Sequence, residues 1–321
     1  MRTTIFRTML IPTNGIRLHV EAAGPEDGPL VILLHGFPEF WYGWANQIEP
    51  LAHSGLLVAA PDMRGYGLSD KPQGIENYRK DVLAKDIVGL IDYFGRERAV
   101  IVGHDWGGVI AWHLAIHHPD RVERLVALNA PHPAAFNRAL LDPSTRQMAR
   151  SWYTYFFQLP KIPEFMLRAG NFAMLKRAMR AIGRPGSFTR EDLRRYVDAW
   201  KQPGTGVKNG VAQNGGRQLP ALTAMLNYYR AAVREAVQAG QKKTIEESER
   251  RVRMPTLVLW GERDPALHPI LAQWSIEWCD DGSLVRFPEA SHWIQHDEPE
   301  RVANRIVDFL EEVRLRPLAS G

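Results

Sequence analysis

The segment Val102-Gly103-His104-Asp105-Trp106-Gly107-Gly108 follows the apolar run Ala99-Val100-Ile101-Val102 and precedes an apolar-periodic stretch from Val109 to His118. A reactive residue flanked by glycines between strand and helix is the pattern of a nucleophile elbow, with Asp where a serine hydrolase carries Ser. The glycines are needed because so tight a turn leaves no room for side chains beside it. The swap dictates the chemistry. A serine attacking saturated carbon would form an ether that water cannot release, whereas a carboxylate forms an ester that is hydrolysable at its own carbonyl. With an ordinary pKa near ~3.9, the carboxylate needs no base before it attacks. Asp105 therefore points to displacement at an sp3 carbon bearing an oxygen, halide or similar leaving group. The plain alternative is an Asp that merely caps the following helix. The flanking glycines and the partners downstream count against it.

Those partners come in a telling order. Thr256-Leu257-Val258-Leu259-Trp260-Gly261 reads as a buried strand with Glu262-Arg263-Asp264 at its end. Ser283 to Phe287 reads as a further short strand, followed by the loop Pro288-Glu289-Ala290-Ser291-His292-Trp293. Nucleophile, acid, histidine (Asp105, Asp264, His292) is the chain order of α/β-hydrolase triads. His292 is the expected base that activates water, and Asp264 the acid that fixes its tautomer and stabilises the imidazolium. Glu262 competes for the acid role; Asp264 is preferred because the first residues after a strand usually still turn outward. Upstream, Leu30 to Leu34 is an apolar strand ending in His35-Gly36-Phe37-Pro38-Glu39, a turn of the kind that carries an oxyanion-hole amide. The backbone N–H groups of Phe37 and Trp106 are the expected donors to an oxyanion on Asp105.

These residues resemble the epoxide hydrolases of the α/β-hydrolase fold, and the resemblance runs from about Ile5 to about Val313. It implies two tyrosines in a helical cap whose hydroxyls bind the epoxide oxygen. Tyr153, in Ser151-Trp152-Tyr153-Thr154-Tyr155-Phe156-Phe157, matches the first, and Tyr229, in Leu226-Asn227-Tyr228-Tyr229-Arg230, the second. A phenol suits that job: its pKa near ~10 lets it donate to a developing alkoxide without prior ionisation. The neighbours Tyr155 and Tyr228 read as ordinary half-buried aromatics. His35, Pro38, Phe37, Trp106, Phe156 and Trp293 are the expected pocket walls.

The chain has 321 residues, enough for one large core with an inserted subdomain. Strands alternating with amphipathic helices to about Asn129 argue an α/β class with a mostly parallel sheet covered on both faces. Examples are the strands Ile5–Pro12, Ile16–Ala23, Leu56–Ala60 and Arg124–Leu128, and the helix Asp81–Phe94. From Pro133 to about Gly240 the sequence reads as helical, so the expected division is core 1–134, helical cap 135–246 and core 247–321. Gln241 to Arg253 is a charged return to the core, and Glu298 to Arg314 a closing amphipathic helix. The Gly/Asn-rich stretch 204–216 interrupts the cap; it reads as a solvated insertion in preference to a lid over the pocket.

No apolar run approaches the length of a membrane span, and the first nine residues are mixed and polar, so neither signal region nor anchor is expected. The single cysteine, Cys279, excludes an intramolecular disulfide and fits a reducing, cytoplasmic compartment. Net charge is only +4, and the mixed-sign run Arg190–Arg195 reads as a solvated helix face, not a nucleic-acid patch. The expected partners are a small lipophilic epoxide and water, with no nucleic acid, membrane, metal or cofactor. A homodimer is compatible with aromatic cap surfaces but not required. The rival activity is haloalkane dehalogenation by the same triad, because the indoles of Trp106 or Trp152 could hold a halide. Against it, Phe37 stands where such enzymes carry an Asn, and they lack the cap tyrosines. A receptor-like, non-catalytic hydrolase fold would be expected to have lost a triad member, and none is missing.

Overall fold

The computed structural model describes residues 5–203, 207–208, 211–212, 218–239 and 251–315. Eight strands form one sheet: β1 (Arg7–Thr13), β2 (Ile16–Ala23), β3 (Leu30–Leu34), β4 (Leu57–Pro61), β5 (Ala99–His104), β6 (Val122–Leu128), β9 (Thr256–Gly261) and β10 (Gly282–Phe287). Two short strands, β7 (Val207–Lys208) and β8 (Val211–Ala212), pair antiparallel in a separate ribbon. In the large sheet the order is β1-β2-β4-β3-β5-β6-β9-β10; β2 pairs antiparallel with both β1 and β4, and the remaining pairs are parallel. Strands β3, β5 and β9 are buried along their whole length, which is why each reads as an unbroken apolar run.

Side chains alternate between two cores. Val31, Leu33, Val100, Val102 and Leu257 face one side, with Trp44, which precedes α1 (Ala45–His53), Ile48 and Leu51 of that helix, and Val302, Ile306 and Phe309 of α12 (Pro299–Leu315). Ile32, Leu34, Ile101, Ala127 and Val258 face the other. There they meet Leu83, Ile87 and Leu90 of α2 (Lys80–Tyr93), Ile110 and Leu114 of α3 (Trp106–His117), and Leu271 of α10 (Ile270–Ile276). The short α11 (Ile294–Asp297) precedes α12.

Between β6 and β9 come α4 (Pro133–Leu141), α5 (Gln147–Arg150), α6 (Trp152–Phe156), α7 (Ile162–Ile182), α8 (Arg190–Lys201) and α9 (Ala221–Ala239). This is the inserted helical cap of an α/β-hydrolase fold. Helix α7 is broken at Ala169–Phe172, where Gly170, Asn171 and Phe172 are all left-handed. Helix α8 opens with a Thr189–Asp192 capping box and buries Leu193, Tyr196, Val197 and Trp200, an i, i+3, i+4, i+7 stripe. Its charged residues Arg190, Glu191, Arg194 and Arg195 face outward. The β7–β8 ribbon falls within the Gly/Asn-rich stretch, a departure from the all-helical expectation; residues 204–206, 209–210 and 213–216 of that stretch lie outside the described residues. Most of the expected return segment 241–253 does so too. No described helix is long and apolar enough to cross a membrane.

Strand β3 pairs with β4 on one side and β5 on the other, so the chain's winding reverses between β3 and β5. A crevice opens outside the strand ends at such a reversal. With Leu34 opposite Gly103, the turns after β3 and β5 emerge side by side. The ends of β6, β9 and β10 lie along the same edge. That edge is where the reactive residues collect.

The elbow tolerates no side chain at two of its glycines. A Cβ on Gly103 would collide with the Gly107 carbonyl, and one on Gly107 with the carbonyl of Leu34. Both obstacles are backbone. Gly107→Ala is therefore expected to lower stability by about 1–3 kcal/mol or more, read as a fall in the thermal unfolding midpoint. An unchanged midpoint would mean that α3 can move off β3.

Candidate active site

Asp105 is the last residue before α3, with φ +49° and ψ −118°, a conformation a non-glycine residue holds only under constraint. The strain costs about 1–3 kcal/mol and pushes the carboxylate out of the sheet edge toward the cap. Its Oδ1 accepts the Phe37 N–H at 2.8 Å, and its Oδ2 lies 3.6 Å from His292 Nε2. Of the two amides assigned to this carboxylate, the Phe37 N–H makes the bond; Trp106 opens α3 beside it.

Behind His292, Nδ1 bonds Asp264 Oδ2 at 2.6 Å. Asp264 is the saturated member of the set. Its Oδ1 accepts the amides of Ala266 at 2.8 Å and Leu267 at 3.0 Å, and its Oδ2 also accepts Asn129 Nδ2 at 2.8 Å. Burial opposes its charge, but His292 and these donors outweigh it and hold the carboxyl below its ordinary range. Glu262, the competing acid, instead pairs with Arg286 at 2.9 Å on the half-exposed far side of the strand end. Geometry removes it from the site. Burial works against the His292 cation as well, yet Asp264 and Asp105 together push its pKa up to about 10.

The two cap tyrosines pack against each other within reach of this carboxylate's charge. Tyr153 on α6 and Tyr229 on α9 meet edge to face, ring centroids 5.8 Å apart. Burial and then the charge on Asp105 raise both phenols above their ordinary value, so both keep their protons at neutral pH. The Trp106 indole, which sequence left open as a halide donor, meets the Tyr229 ring edge to face with centroids 5.1 Å apart. Trp152, the other indole considered for that role, is 63% exposed on the outer surface of the cap. Tyr155 is likewise exposed, and Tyr228 points away, donating to the Arg64 carbonyl at 2.7 Å.

Several residues expected as pocket walls are buried in the interior. His35 is wholly buried: Nε2 accepts the Met63 amide at 3.0 Å, and Nδ1 lies 3.0 Å from the Gly36 carbonyl. It is a strut that shapes the turn. Pro38 is buried at the seam between core and cap, where its carbonyl accepts Trp200 Nε1 at 2.6 Å. Trp293 is 2% exposed and backs His292, its ring 4.9 Å from the imidazole. Phe156 packs on Trp152 and Phe157. The aromatic that meets the reactive groups is the next residue, Phe157, with its ring 5.0 Å from Tyr229, 5.8 Å from Tyr153 and 5.7 Å from Phe37. One residue of helical phase separates the two positions, and sequence could not set that phase.

Sequence reasoning also missed two supporting groups. Asn129, left-handed at the end of β6, binds Asp264 and exchanges bonds with Gly261. Glu39 is buried at the centre of a second network. Its Oε1 accepts Tyr196 of the cap at 2.8 Å and lies 2.7 Å from His296 Nε2, while Oε2 accepts Gln295 at 3.0 Å and lies 3.2 Å from His104 Nδ1. His104 Nε2 in turn lies 2.9 Å from the His292 carbonyl. One carboxylate thus joins the turn bearing the Phe37 amide, the strand end before Asp105, the His292 loop and the cap. The acid directly after the His-Gly-x-Pro turn was its only sequence signal. Among the described residues, no three His, Cys, Asp or Glu side chains converge as metal ligands.

Residues 29–299 match the family model described as alpha/beta hydrolase fold. The chain belongs to that family. The hydrolase is 46% identical to the AB hydrolase superfamily protein YfhM of Bacillus subtilis, over 95% of this chain and 98% of the relative. It is 38% identical to human Epoxide hydrolase 4, over 94% of this chain and 78% of that one. Among solved structures, the Bacillus megaterium epoxide hydrolase in complex with an inhibitor superposes with TM-score 0.79 at 32% identity, covering 94% of this chain and 100% of the other. The protein is thus an enzyme with hydrolase activity, closely related to known epoxide hydrolases.

The Glu39 network makes a pH prediction. Burial penalises the Glu39 charge, but His296 and His104 more than offset it, so its pKa falls well below the ordinary 4.5. A depressed carboxyl contributes stability above its unfolded value that is lost as pH falls below it. The wild-type thermal midpoint should therefore fall more steeply than that of Glu39→Gln as pH drops from neutrality through 4.5. Equal slopes would show that Glu39 is not held ionised by its neighbours.

Proposed function

We propose that the enzyme opens a lipophilic epoxide to a vicinal diol through an alkyl ester on Asp105. The observation that carries this reading is the pairing of two protonated phenols, Tyr153 and Tyr229, close enough to a carboxylate at an elbow to feel its charge. A carboxylate nucleophile alone would serve any leaving group. Two O–H donors close by suit an oxygen that must gain a proton as it leaves. The surrounding rings of Phe37, Phe157 and Trp106 suit an uncharged, apolar substrate.

In the first step an Asp105 oxygen forms a bond to one ring carbon, and that carbon's bond to the epoxide oxygen breaks. The oxygen, held by both hydroxyls, takes a proton from one tyrosine. His292 begins as an imidazolium between two carboxylates. Esterification removes the charge on Asp105, one of the causes that held that proton. The proton passes to the tyrosinate, restoring the phenol and leaving His292 neutral. His292 then takes a proton from water as the hydroxide oxygen adds to the ester carbonyl. The Phe37 amide stabilises the tetrahedral oxyanion, an interaction worth about 2.7–4 kcal/mol in comparable sites. Collapse expels the diol oxygen, which takes the remaining hydroxyl proton. Asp105 is again a carboxylate and His292 again an imidazolium, so the protons balance over one turnover.

Two experiments test the scheme. The first follows diol from styrene oxide and bromide from a bromoalkane of similar size, with Asp105→Asn as the blank. Diol without bromide is expected; bromide without diol would move the function to dehalogenation and leave Tyr153 and Tyr229 as packing residues. The second uses His292→Gln, which should complete ring opening and then stall. A protein mass increased by one epoxide is the expected result, and absence of both adduct and burst would overturn the ester intermediate.

A further inference from the structure

Arg230 follows Tyr229 directly on α9 and is nearly buried, at 8% exposure. Its guanidinium reaches across the cap to the segment that carries Tyr153. Nε donates to the Phe157 carbonyl at 2.9 Å, and Nη2 to the Leu159 carbonyl at 3.0 Å, so two carbonyls at the end of α6 are satisfied by one side chain. The same fork grips Glu164, in the first turn of α7, at 2.7 and 3.1 Å, while Nη1 lies 3.4 Å from Asn227 Oδ1. Gln158 adds a parallel tie, donating to the Thr154 carbonyl at 2.8 Å and the Tyr229 carbonyl at 3.3 Å.

The two tyrosines are registered on the core by different routes. Helix α9 is fixed to it by Tyr228, which bonds Arg64, and by Glu235, which pairs with Lys80 at 2.8 Å. The leading end of Tyr153's segment is fixed by Gln147, which bonds the Ala266 carbonyl at 2.8 Å and the His268 amide at 3.0 Å. Its trailing end is tied through Arg230.

We propose that Arg230 is a positioning residue: its clamp on Phe157, Leu159 and Glu164 sets the separation of the Tyr153 and Tyr229 hydroxyls. This rests on the reading of those tyrosines as the donors to the epoxide oxygen. A planar fork with five donors is needed, because the acceptors lie in several directions, and an ammonium cannot span them. The clamp bears on ring opening alone. Ester hydrolysis uses His292, Asp264 and the Phe37 amide, none of which Arg230 touches.

The test measures the two steps separately, by burst and by ester decay, in Arg230→Gln, Arg230→Lys and Glu164→Gln. Arg230→Gln is expected to slow ring opening by about 100-fold, the scale of a misplacement near 1 Å, with ester decay unchanged. Arg230→Lys should not rescue it, and Glu164→Gln, which keeps the carbonyl bonds, should show a smaller loss of the same kind. In a Tyr153→Phe background the Arg230→Gln effect should nearly vanish, since a clamp has nothing left to position. Additive losses, equal slowing of both steps, or rescue by lysine would overturn the proposal. Should Arg230→Gln fail to fold, the Glu164→Gln cycle with Tyr153→Phe decides by the same criterion. Tyr153→Phe with full ring-opening rate would instead overturn the tyrosine reading, and the clamp's role with it.

Discussion

The structure is organised around one carboxylate held where a carboxylate resists being held. Asp105 sits in a left-handed turn at the end of the central strand, and its backbone strain is maintained by everything packed against the elbow. Gly103 and Gly107 let α3 press onto β5 and β3, so the carboxylate cannot relax back into the sheet. One of its oxygens is fixed by the Phe37 amide, and the other faces His292. The Phe37 amide thus orients the carboxylate, with the imidazole on its other side. Tyr153 and Tyr229 of the cap lie within reach of its charge.

Charge around that carboxylate is arranged in alternation. His292 lies between Asp105 and Asp264, and Asp264 is saturated by two amides and Asn129. A second histidine pair, His104 and His296, shares Glu39 directly behind the first set. Buried charges are tolerable only when paired and fully hydrogen-bonded, and here each carboxylate meets that condition through different structural elements. The consequence is mechanical. The His292 loop, the turn after β3, the end of β5 and the cap helix α8 are joined by polar contacts whose loss would leave a buried charge without a partner.

The cap is attached in the same manner. Tyr228, Tyr196, Trp200 and Arg230 each project from a cap helix to a backbone carbonyl or carboxylate elsewhere. Apolar packing brings the cap onto the sheet edge, and these directional bonds choose its register. The two tyrosines are therefore held by a frame that does not itself touch the reacting atoms.

Much of this was legible in the sequence, for a physical reason. Strands buried on both faces must be continuous apolar runs, and a tight strand-to-helix turn must have glycines, so the core, the elbow and the order Asp105, Asp264, His292 are written locally. The choices that sequence could not make are those of direction. Phe156 and Phe157 are equivalent as letters, and only the phase of α6 against α9 puts Phe157 among the reactive rings. His35 and Trp293 stand beside the motifs, and what they touch, the Met63 amide and the Phe188 ring, comes from elsewhere in the chain. Glu39 and Arg230 gain their importance from partners more than sixty positions away in the chain, contacts that exist only once those distant segments have packed together. Local chemistry picked out Asp105 and its elbow; tertiary packing decided what surrounds it, because side-chain direction is set by neighbours that sequence distance conceals.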